Sequence, residues 1–363
     1  MPNAFRSVGY IAGIMMMLTI GAVSVYCMLL LVTAKHKARE SFNVKSYGDL
    51  SWIAGGNAGF AVLQGSLFLT QTGFCCAYLI FIMENFTSVV KGVPPQIVVL
   101  VCCCILTPVT LLRHLKLLAP FSTFANMANL TALGIVYVAA ASHMASLEEN
   151  HTEAFKPQGL TFFFGVAVYG YEGIGMVIPL EDSMRESDKF RTVLSWTMVL
   201  VTVIYLSFGL VGYLAWQDDT KGIITLNLSH GYGSTFVKLL LCCGLLFTFP
   251  IMIFPVSQLL DDLLLDPVHE RFETKQNFVR IGLVMLAGIV ALSVPDFGLF
   301  ISLVGSSCCS ILAFIMPAWI HFTICREDIS SVAIAIDWFI VAFGIFAAVI
   351  STRQAVLDVM EVM

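Results

Sequence analysis

The sequence predicts an all-α, polytopic membrane protein. Of its 363 residues, 58% are hydrophobic and 12% are charged, whereas soluble domains carry about 25% charged residues. The mean hydropathy is +0.88. Apolar stretches of about 20 residues, the length of a transmembrane helix, recur along the chain with short loops between them. No soluble domain of useful size fits between these stretches, and a net charge of −5 is too small and too scattered to suggest a nucleic-acid partner.

The hydrophobic pattern predicts about ten membrane-spanning helices. In chain order they are Tyr10–Thr33, Asn57–Met83, Gln96–Leu112, Leu118–Ala141, Leu160–Glu181, Arg191–Ala215, Ser234–Asp262, Val279–Pro295, Gly298–Phe322 and Ala333–Ser351.

Basic residues predict the orientation of these helices, because cytoplasmic loops are enriched in lysine and arginine. One set of alternate loops is rich in them and should be cytoplasmic; it holds Lys35, Lys37, Arg39, Lys45, Arg113, Lys116, Arg185, Lys189, Arg191, Arg271, Lys275, Arg280 and Arg326. Possible glycosylation sequons at Asn85, Asn150 and Asn227 fall on the opposite side, where acceptors belong. This orientation places both termini outside the cytoplasm.

The chain shows none of the motifs expected of an enzyme. It has no phosphate-binding loop, no nucleophile elbow and no paired carboxylates at mid-membrane depth. Its 11 cysteines lie in or beside apolar stretches, where they behave as small apolar residues. Their spacing suits neither a disulfide framework nor a metal site. We therefore expect no enzymatic activity, no metal and no organic cofactor.

Glu172 lies near the middle of an apolar stretch, whereas almost every other charge lies at or beyond the end of one. A charge at that depth costs at least about 2.5 kcal/mol unless it is partnered or faces water. Glycines and a proline in the surrounding run, Val168–Pro179, weaken the helix on both sides of the acid. Backbone groups freed in this way survive only where they line a cavity.

The run predicts a discontinuous helix with a binding site at the interruption. One half runs from about Leu160 to Tyr169 and the other from about Ile174 to Arg185, so that the second half exposes N–H groups suited to a carboxylate. Glu172 either orders the interruption or accepts a proton. The alternative is a continuous, glycine-rich helix that packs tightly through its small residues.

A second polar stretch occurs in the span Asn57–Met83. Gln64, Gln71 and Tyr78 are spaced by seven and share one helical face. They either bond to a neighbouring helix or line a cavity. In a later span Pro250 and Pro255 predict a kink.

Four further polar residues have ordinary interpretations. Lys238 and Asp337 lie about one turn inside their spans, so both can reach the membrane interface. His321 is close to a cytoplasmic end and is predicted to be interfacial. Asp296 lies in a short turn and is predicted to be a turn or cap residue.

Three segments resemble proton-coupled amino-acid transporters of the amino acid/auxin permease family. The resemblance to that family's sixth helix and following loop is the most specific. The matching residues are Phe162–Gly165, Tyr171–Gly175, Pro179–Glu181, Met184 and Lys189–Phe190 for this helix, Leu69–Tyr78 for the third helix and Tyr26–Val32 for the end of the second.

The resemblance implies a fold and a mechanism. The fold is leucine-transporter-like, of the amino acid–polyamine–organocation superfamily, with eleven helices of which ten form an inverted five-helix repeat. About ten of the eleven are present here, in a single transmembrane domain over residues 1–363. The substrate site lies between broken helices one and six, and a proton is the coupling ion.

The chain departs from the family at its start. Met1–Phe5 looks like the tail of the family's first-helix motif, L-P-Y-A-F, and the glycine-rich stretch that precedes that motif is absent. We therefore expect an N-terminally truncated first helix, best explained by an incomplete gene model. The missing span would also return the N-terminus to the cytoplasm.

The resulting hypothesis is a secondary active transporter of amino acids, coupled to protons and working by alternating access in the plasma membrane or a vacuolar or lysosomal membrane. Two alternatives stay open: an amino-acid sensor that does not transport, and an inactive fragment. Glu172 is the candidate for proton coupling. The expected substrate-binding residues are Gln71, Tyr78, Tyr169, Gly170, Tyr171, Gly173, Ile174 and Gly175.

Overall fold

The computed structural model describes residues 1–111, 119–147, 152–229, 231–264, 272–294 and 296–362 and shows only helices, turns and loops within these ranges. The helices are α1 (Pro2–Val8), α2 (Tyr10–Ala38), α3 (Tyr47–Val89), α4 (Pro95–Thr110), α5 (Ala119–Met144), α6 (Leu160–Tyr171), α7 (Val177–Ser183), α8 (Phe190–Trp216), α9 (Tyr232–Leu264), α10 (Phe272–Ser293), α11 (Phe297–Val304), α12 (Met316–Cys325) and α13 (Ser331–Val362).

The predicted spans are confirmed. Within the described ranges, nine helical segments are long and apolar enough to cross a membrane, and α4 is a shorter apolar helix. Short interruptions divide two of these segments, so that α6 and α7 form one span and α11 and α12 another. Several residues named above lie outside the described ranges: Leu112, Arg113, Lys116, Leu118, Asn150, Arg271 and Pro295.

The length of α3 is explained by a break near its start. Its 43 residues would span about 65 Å as a straight helix, twice the thickness of a bilayer core. Gly55 and Gly56 leave helical geometry, and Gly56 has a φ of 57° with a ψ of −146°, which only glycine adopts readily. The membrane-spanning part therefore begins at about Asn57, as the sequence predicts.

The helices form two groups with α11–α13 packed against both. In the first group α1, α2, α6 and α8 contact one another, and in the second α3, α4, α9 and α10 do so. Helix α5 packs against α8 of one group and α9 of the other. The interruption between α6 and α7 faces α3 and α9, so it lies on the boundary between the groups.

Two glycines fix α6 against the span that contains α11. A Cβ atom added at Gly305 would overlap the carbonyl oxygen of Gly165, so the two backbones touch. Small residues allow this close approach between membrane helices. Gly305 begins the first of two π-helical segments, Gly305–Cys309 and Ile311–Ile315, that join α11 to α12.

One of the predicted sequons is wrong as a glycosylation site. Asn85 lies inside α3 and is fully buried, and its side chain bonds to the Phe81 carbonyl oxygen and to the Thr225 hydroxyl. The Asn227 side chain is also engaged, because its Nδ2 donates to the Asp219 carbonyl oxygen at 2.8 Å. Asn85 therefore gives no support to the predicted orientation, which rests on the basic loops.

Three polar residues predicted to reach the interface are buried instead. Lys238 donates to the Ser88 hydroxyl at 3.0 Å, and Asp337 is paired with His321. In each case a side-chain partner on a neighbouring helix offsets the free-energy cost of burying a polar group. Asp296 is a cap as predicted, since its carboxylate accepts from the Leu299 N–H at the start of α11.

We predict that Gly305→Ala destabilises the protein by about 1–3 kcal/mol, because the added methyl group must displace the α6 backbone. Gly134→Ala in α5 is the matched control: its added Cβ meets nothing within 4 Å, and alanine favours the helix. Thermal denaturation of the two purified variants in detergent measures the difference. Equal midpoints for both variants would contradict the close contact.

Candidate functional site

The interruption predicted around Glu172 is present. Helix α6 ends at Tyr171, Glu172 is extended with φ −62° and ψ 135°, and a 3-10 turn over Ile174–Met176 leads into α7. The first half ends at Tyr171 rather than Tyr169, and the second ends at Ser183 rather than Arg185. The discontinuous helix is confirmed, and the continuous alternative is excluded.

The interruption frees backbone groups, and neighbouring side chains bond to only some of them. The Gly170 carbonyl oxygen accepts from the Tyr205 hydroxyl of α8 at 3.0 Å. The Gly173 N–H bonds to the Glu172 carboxylate. The N–H groups of Ile174 and Gly175 begin the 3-10 turn and have no acceptor within it. Of these two residues Gly175 borders a cavity, so its N–H is available to an anionic group there.

A cavity of about 160 Å³, which we call the break cavity, opens beside these groups. Three elements line it: the interruption, the predicted polar face of α3, and α9. Its lining residues are Gln64, Leu67, Phe68, Gln71, Glu172, Gly173, Gly175, Met176, Pro255, Val256 and Leu259.

The break cavity contains an unused hydrogen-bond acceptor. The Oε1 atom of Gln71 is buried and has no partner. Glu172 has no ion-pair partner in the described part of the chain, and the titratable side chains near it are Tyr47 and Cys309. Buried polar atoms are normally paired, so the unpaired amide oxygen of Gln71, on a residue that lines this cavity together with Glu172, is a candidate contact for a polar ligand.

A second cavity, of about 340 Å³, lies farther along α3 and α6. We call it the outer cavity, and Tyr78 and Tyr169 are among its lining residues. The ring of Tyr169 meets that of Phe74 edge-on, with centroids 4.7 Å apart at 89°. Phe74 comes between Gln71 and Tyr78 on α3, so this aromatic pair lies between the α3 residues that line the two cavities.

The structure divides the predicted site residues into three sets. Gln71, Glu172, Gly173 and Gly175 line the break cavity, whereas Tyr78 and Tyr169 line the outer cavity. The remaining three, Gly170, Tyr171 and Ile174, line neither of these cavities.

The contacts of Tyr171 and Ile174 explain why these two residues line no cavity. The Tyr171 hydroxyl donates to the Thr202 hydroxyl of α8 at 2.9 Å, and Ile174 is 1% exposed in the apolar core. Tyr171 therefore holds the interruption against α8 instead of shaping a cavity.

Sequence reasoning missed an ion cluster that holds the second half of the broken helix. Lys35 was predicted to lie in a loop, but α2 continues to Ala38 and buries it completely. Its Nζ atom lies 2.7 Å from a Glu181 carboxylate oxygen and 2.8 Å from one of Asp182. Arg39 also reaches Asp182, at 2.6 Å. The signal available in the sequence was the adjacent acidic pair of Glu181 and Asp182, which lies near the end of the second half of the broken helix.

The contribution of α9 was also missed. Pro255, Val256 and Leu259 form one wall of the break cavity. The signal was again present, because Pro250 and Pro255 both lie inside α9. A proline removes a backbone hydrogen bond and often bends a membrane helix where a cavity forms. Among the residues that the structure describes, no cluster of His, Cys, Asp or Glu could hold a metal ion.

We predict that Lys35→Met destabilises the protein by about 3–5 kcal/mol, because it leaves the carboxylate of Glu181, which is 2% exposed, without its lysine. Lys37→Met is the matched control on the same helix. Lys37 pairs with Asp328 at 2.8 Å, but both side chains are largely solvated and such pairs contribute about 0–1 kcal/mol. Thermal denaturation in detergent compares them, and equal effects would contradict a structural role for Lys35.

Comparison with known proteins agrees with this architecture. The inward-facing structure of Mhp1 superimposes with a TM-score of 0.60 at 13% sequence identity, covering 99% of this chain and 86% of that one. That likeness shows the leucine-transporter-like fold with its inverted five-helix repeat.

Proteins related in sequence show higher identity to this chain than Mhp1 does. Amino acid transporter AVT3B of Arabidopsis thaliana is 35% identical, with 99% of this chain and 89% of the relative covered. Vacuolar amino acid transporter 3 of Saccharomyces cerevisiae is 28% identical, with 98% of this chain and 54% of the relative covered. Residues 1–357 match the family described as transmembrane amino acid transporter protein. A match over nearly the whole length, on a transporter fold, places this chain in the transmembrane amino acid transporter family.

Proposed function

We propose that this transporter binds its amino acid in the break cavity and couples the movement of that substrate to a proton. The chain is a multi-pass secondary transporter of amino acids and not an enzyme, as its family and its relatives indicate. The location of the substrate and the identity of the coupling ion are the proposed parts.

The observation that supports this substrate site is that a free hydrogen-bond donor and a free acceptor belong to residues that line the same cavity. An amino acid presents a carboxylate and an ammonium group on one carbon. The N–H group of Gly175, a residue that lines the cavity, can receive the carboxylate at the start of a helical turn. The unpartnered Oε1 atom of Gln71 can accept from the ammonium group. Leu67, Met176 and other apolar lining residues then surround the side chain of the substrate.

Glu172 is the proposed site of the coupling proton. Glu172 lines the cavity, and its carboxylate has no cationic partner among the described residues. An unpaired negative charge is costly at this depth, and either a bound ammonium group or a proton removes that cost. Proton binding and substrate binding at one acid are therefore energetically linked, which is the requirement for coupled transport.

The two cavities suggest how access alternates. The break cavity and the outer cavity lie on opposite sides of the Phe74–Tyr169 pair. Phe74 belongs to one helix group and Tyr169 to the other, so relative movement of the groups separates the two rings. Lys35 ties α7 to α2, so the second half of the broken helix moves with its group. The plasma membrane and a vacuolar or lysosomal membrane both provide the proton gradient that the mechanism requires.

We predict that Gln71→Leu weakens substrate binding by about 10- to 150-fold, because losing one hydrogen bond to a charged group costs about 1.5–3 kcal/mol. Thr72→Val is the matched control. Thr72 also has a buried, unpartnered oxygen, but it does not line the break cavity. Equilibrium binding of each labelled amino acid to the purified variants gives the affinities. Unchanged affinity for Gln71→Leu, or an equal loss for Thr72→Val, would place the substrate elsewhere.

We predict that Glu172→Gln abolishes proton-driven accumulation and leaves amino-acid exchange intact, because glutamine keeps the shape of the side chain but cannot take up a proton. The measurement uses proteoliposomes, with labelled amino acids tested singly and a pH-sensitive dye inside. The full-length wild-type chain should accumulate substrate when the outside is acidic and should carry protons with it. Accumulation by the wild type without any gradient dependence, or full accumulation by Glu172→Gln, would remove the proposed coupling.

A further inference from the structure

A buried histidine–aspartate pair joins α12 to α13, away from both cavities. The Nδ1 atom of His321 lies 2.7 Å from an Asp337 carboxylate oxygen, and the side chains are 5% and 0% exposed. The other carboxylate oxygen of Asp337 is buried without a partner. Neither residue lines the break cavity or the outer cavity.

In the described part of the chain no second cationic side chain is paired with Asp337; Lys37, which lies near Cys325, is paired with Asp328 and Glu40 instead. Helix α2 faces Asp337 with Tyr26 and Cys27, and α12 contributes Cys325. Helix α3 contributes Tyr47, which is close to Cys27 and donates to the Leu312 carbonyl oxygen at 3.0 Å. Among the described residues, His321 is the one cationic partner of Asp337. The pair is therefore neutral when it holds one proton and carries a single negative charge when it does not.

The charge state of the pair is linked to the packing of α2. Removing the proton leaves one uncompensated charge in a closed interface, which costs several kcal/mol unless water reaches it. Separation of α2 from α12 and α13 would admit that water. The protonated pair therefore favours the closed packing, and the deprotonated pair favours the separated one.

Helix α2 also connects this pair to the substrate site. It packs against α12 on one side and belongs to the group that contains α6. Lys35 follows Cys27 by about two helical turns, or about 12 Å along the axis, and binds Glu181 of α7. A change in the packing of α2 at the histidine–aspartate pair is thus transmitted to the second half of the broken helix.

We propose that His321 and Asp337 form a second proton-binding site, separate from the coupling site, which sets the pH dependence of the conformational step of transport. The inference rests on the transport function but not on the role proposed for Glu172. The ligand of this site is a proton taken from the cytoplasmic side, where α12 ends and α13 begins in the predicted orientation.

A native cysteine provides a direct test that needs no transport assay. Cys27 is fully buried beside Asp337, so separation of α2 should expose it to a membrane-permeant maleimide. Labelling is measured in the full-length wild type, in Asp337→Asn and in His321→Gln, between about pH 5 and about pH 8. Because thiolate formation itself speeds labelling, the quantity compared is the labelling rate of Cys27 divided by that of Cys242 in α9, taken within each protein, and His321→Gln is the variant that keeps the Asp337 carboxylate beside Cys27.

The expected result is a ratio of Cys27 to Cys242 labelling that rises with pH in the wild type, and the loss of that rise in both variants. Asp328→Asn is the control variant: its carboxylate pairs with Lys37 near the same end of α12 but is more than half exposed, so it should keep the wild-type profile. Exchange of labelled amino acid at equal pH on both sides should show the same pattern, with the affinity for substrate unchanged.

Two results would overturn the proposal. One is Cys27 labelling that has the same pH profile in the wild type and in Asp337→Asn. The other is an exchange rate whose pH dependence survives in both Asp337→Asn and His321→Gln. Failure of proton-driven accumulation alone would count against Glu172 and leave this site unaffected, because both readings here are taken without a gradient.

Discussion

Backbone hydrogen bonding is the constraint on which this molecule depends. In a bilayer every N–H and C=O group must find a partner inside the protein, so an interrupted helix is stable only where other groups complete it. The interruption between Tyr171 and Ile174 meets this condition through side chains from two directions. Tyr205 of α8 bonds to the freed Gly170 carbonyl oxygen, and Glu172 bonds to the Gly173 N–H. Of the groups left over, the N–H of Gly175 belongs to a residue that lines the break cavity.

Helix α2 connects several parts of the structure through its side-chain contacts. Near its end, Lys35 holds the acidic residues that follow the interruption, and two turns earlier Cys27 lies beside the buried Asp337. The same helix packs against α8 and α12. It therefore contacts the second half of the broken helix, the group to which that half belongs, and the helices outside that group.

Patterns within one helix were predictable from the sequence, and contacts between helices were not. The spans, the interruption at Glu172 and the polar face of Gln64 and Gln71 follow from local composition and from helical periodicity. The burial of Lys35, Asp337 and His321 does not, because each depends on a partner from a helix remote in the chain. Position near a span end predicts exposure for an isolated side chain. A partner across the interface reverses that expectation, and sequence spacing does not reveal the partner.

The contact between Phe74 and Tyr169 has a consequence for leakage. A partition made of two packed side chains opens when the helix groups move apart, in microseconds to milliseconds, and movements that stop short of a complete cycle open it as well. Such partial openings should therefore accompany complete transport cycles. Retention of solute then depends on how seldom water fills the gap while it is open, and the largely apolar walls of the outer cavity disfavour such wetting. Slippage, more than turnover, would limit the steepest concentration gradient that this protein can sustain.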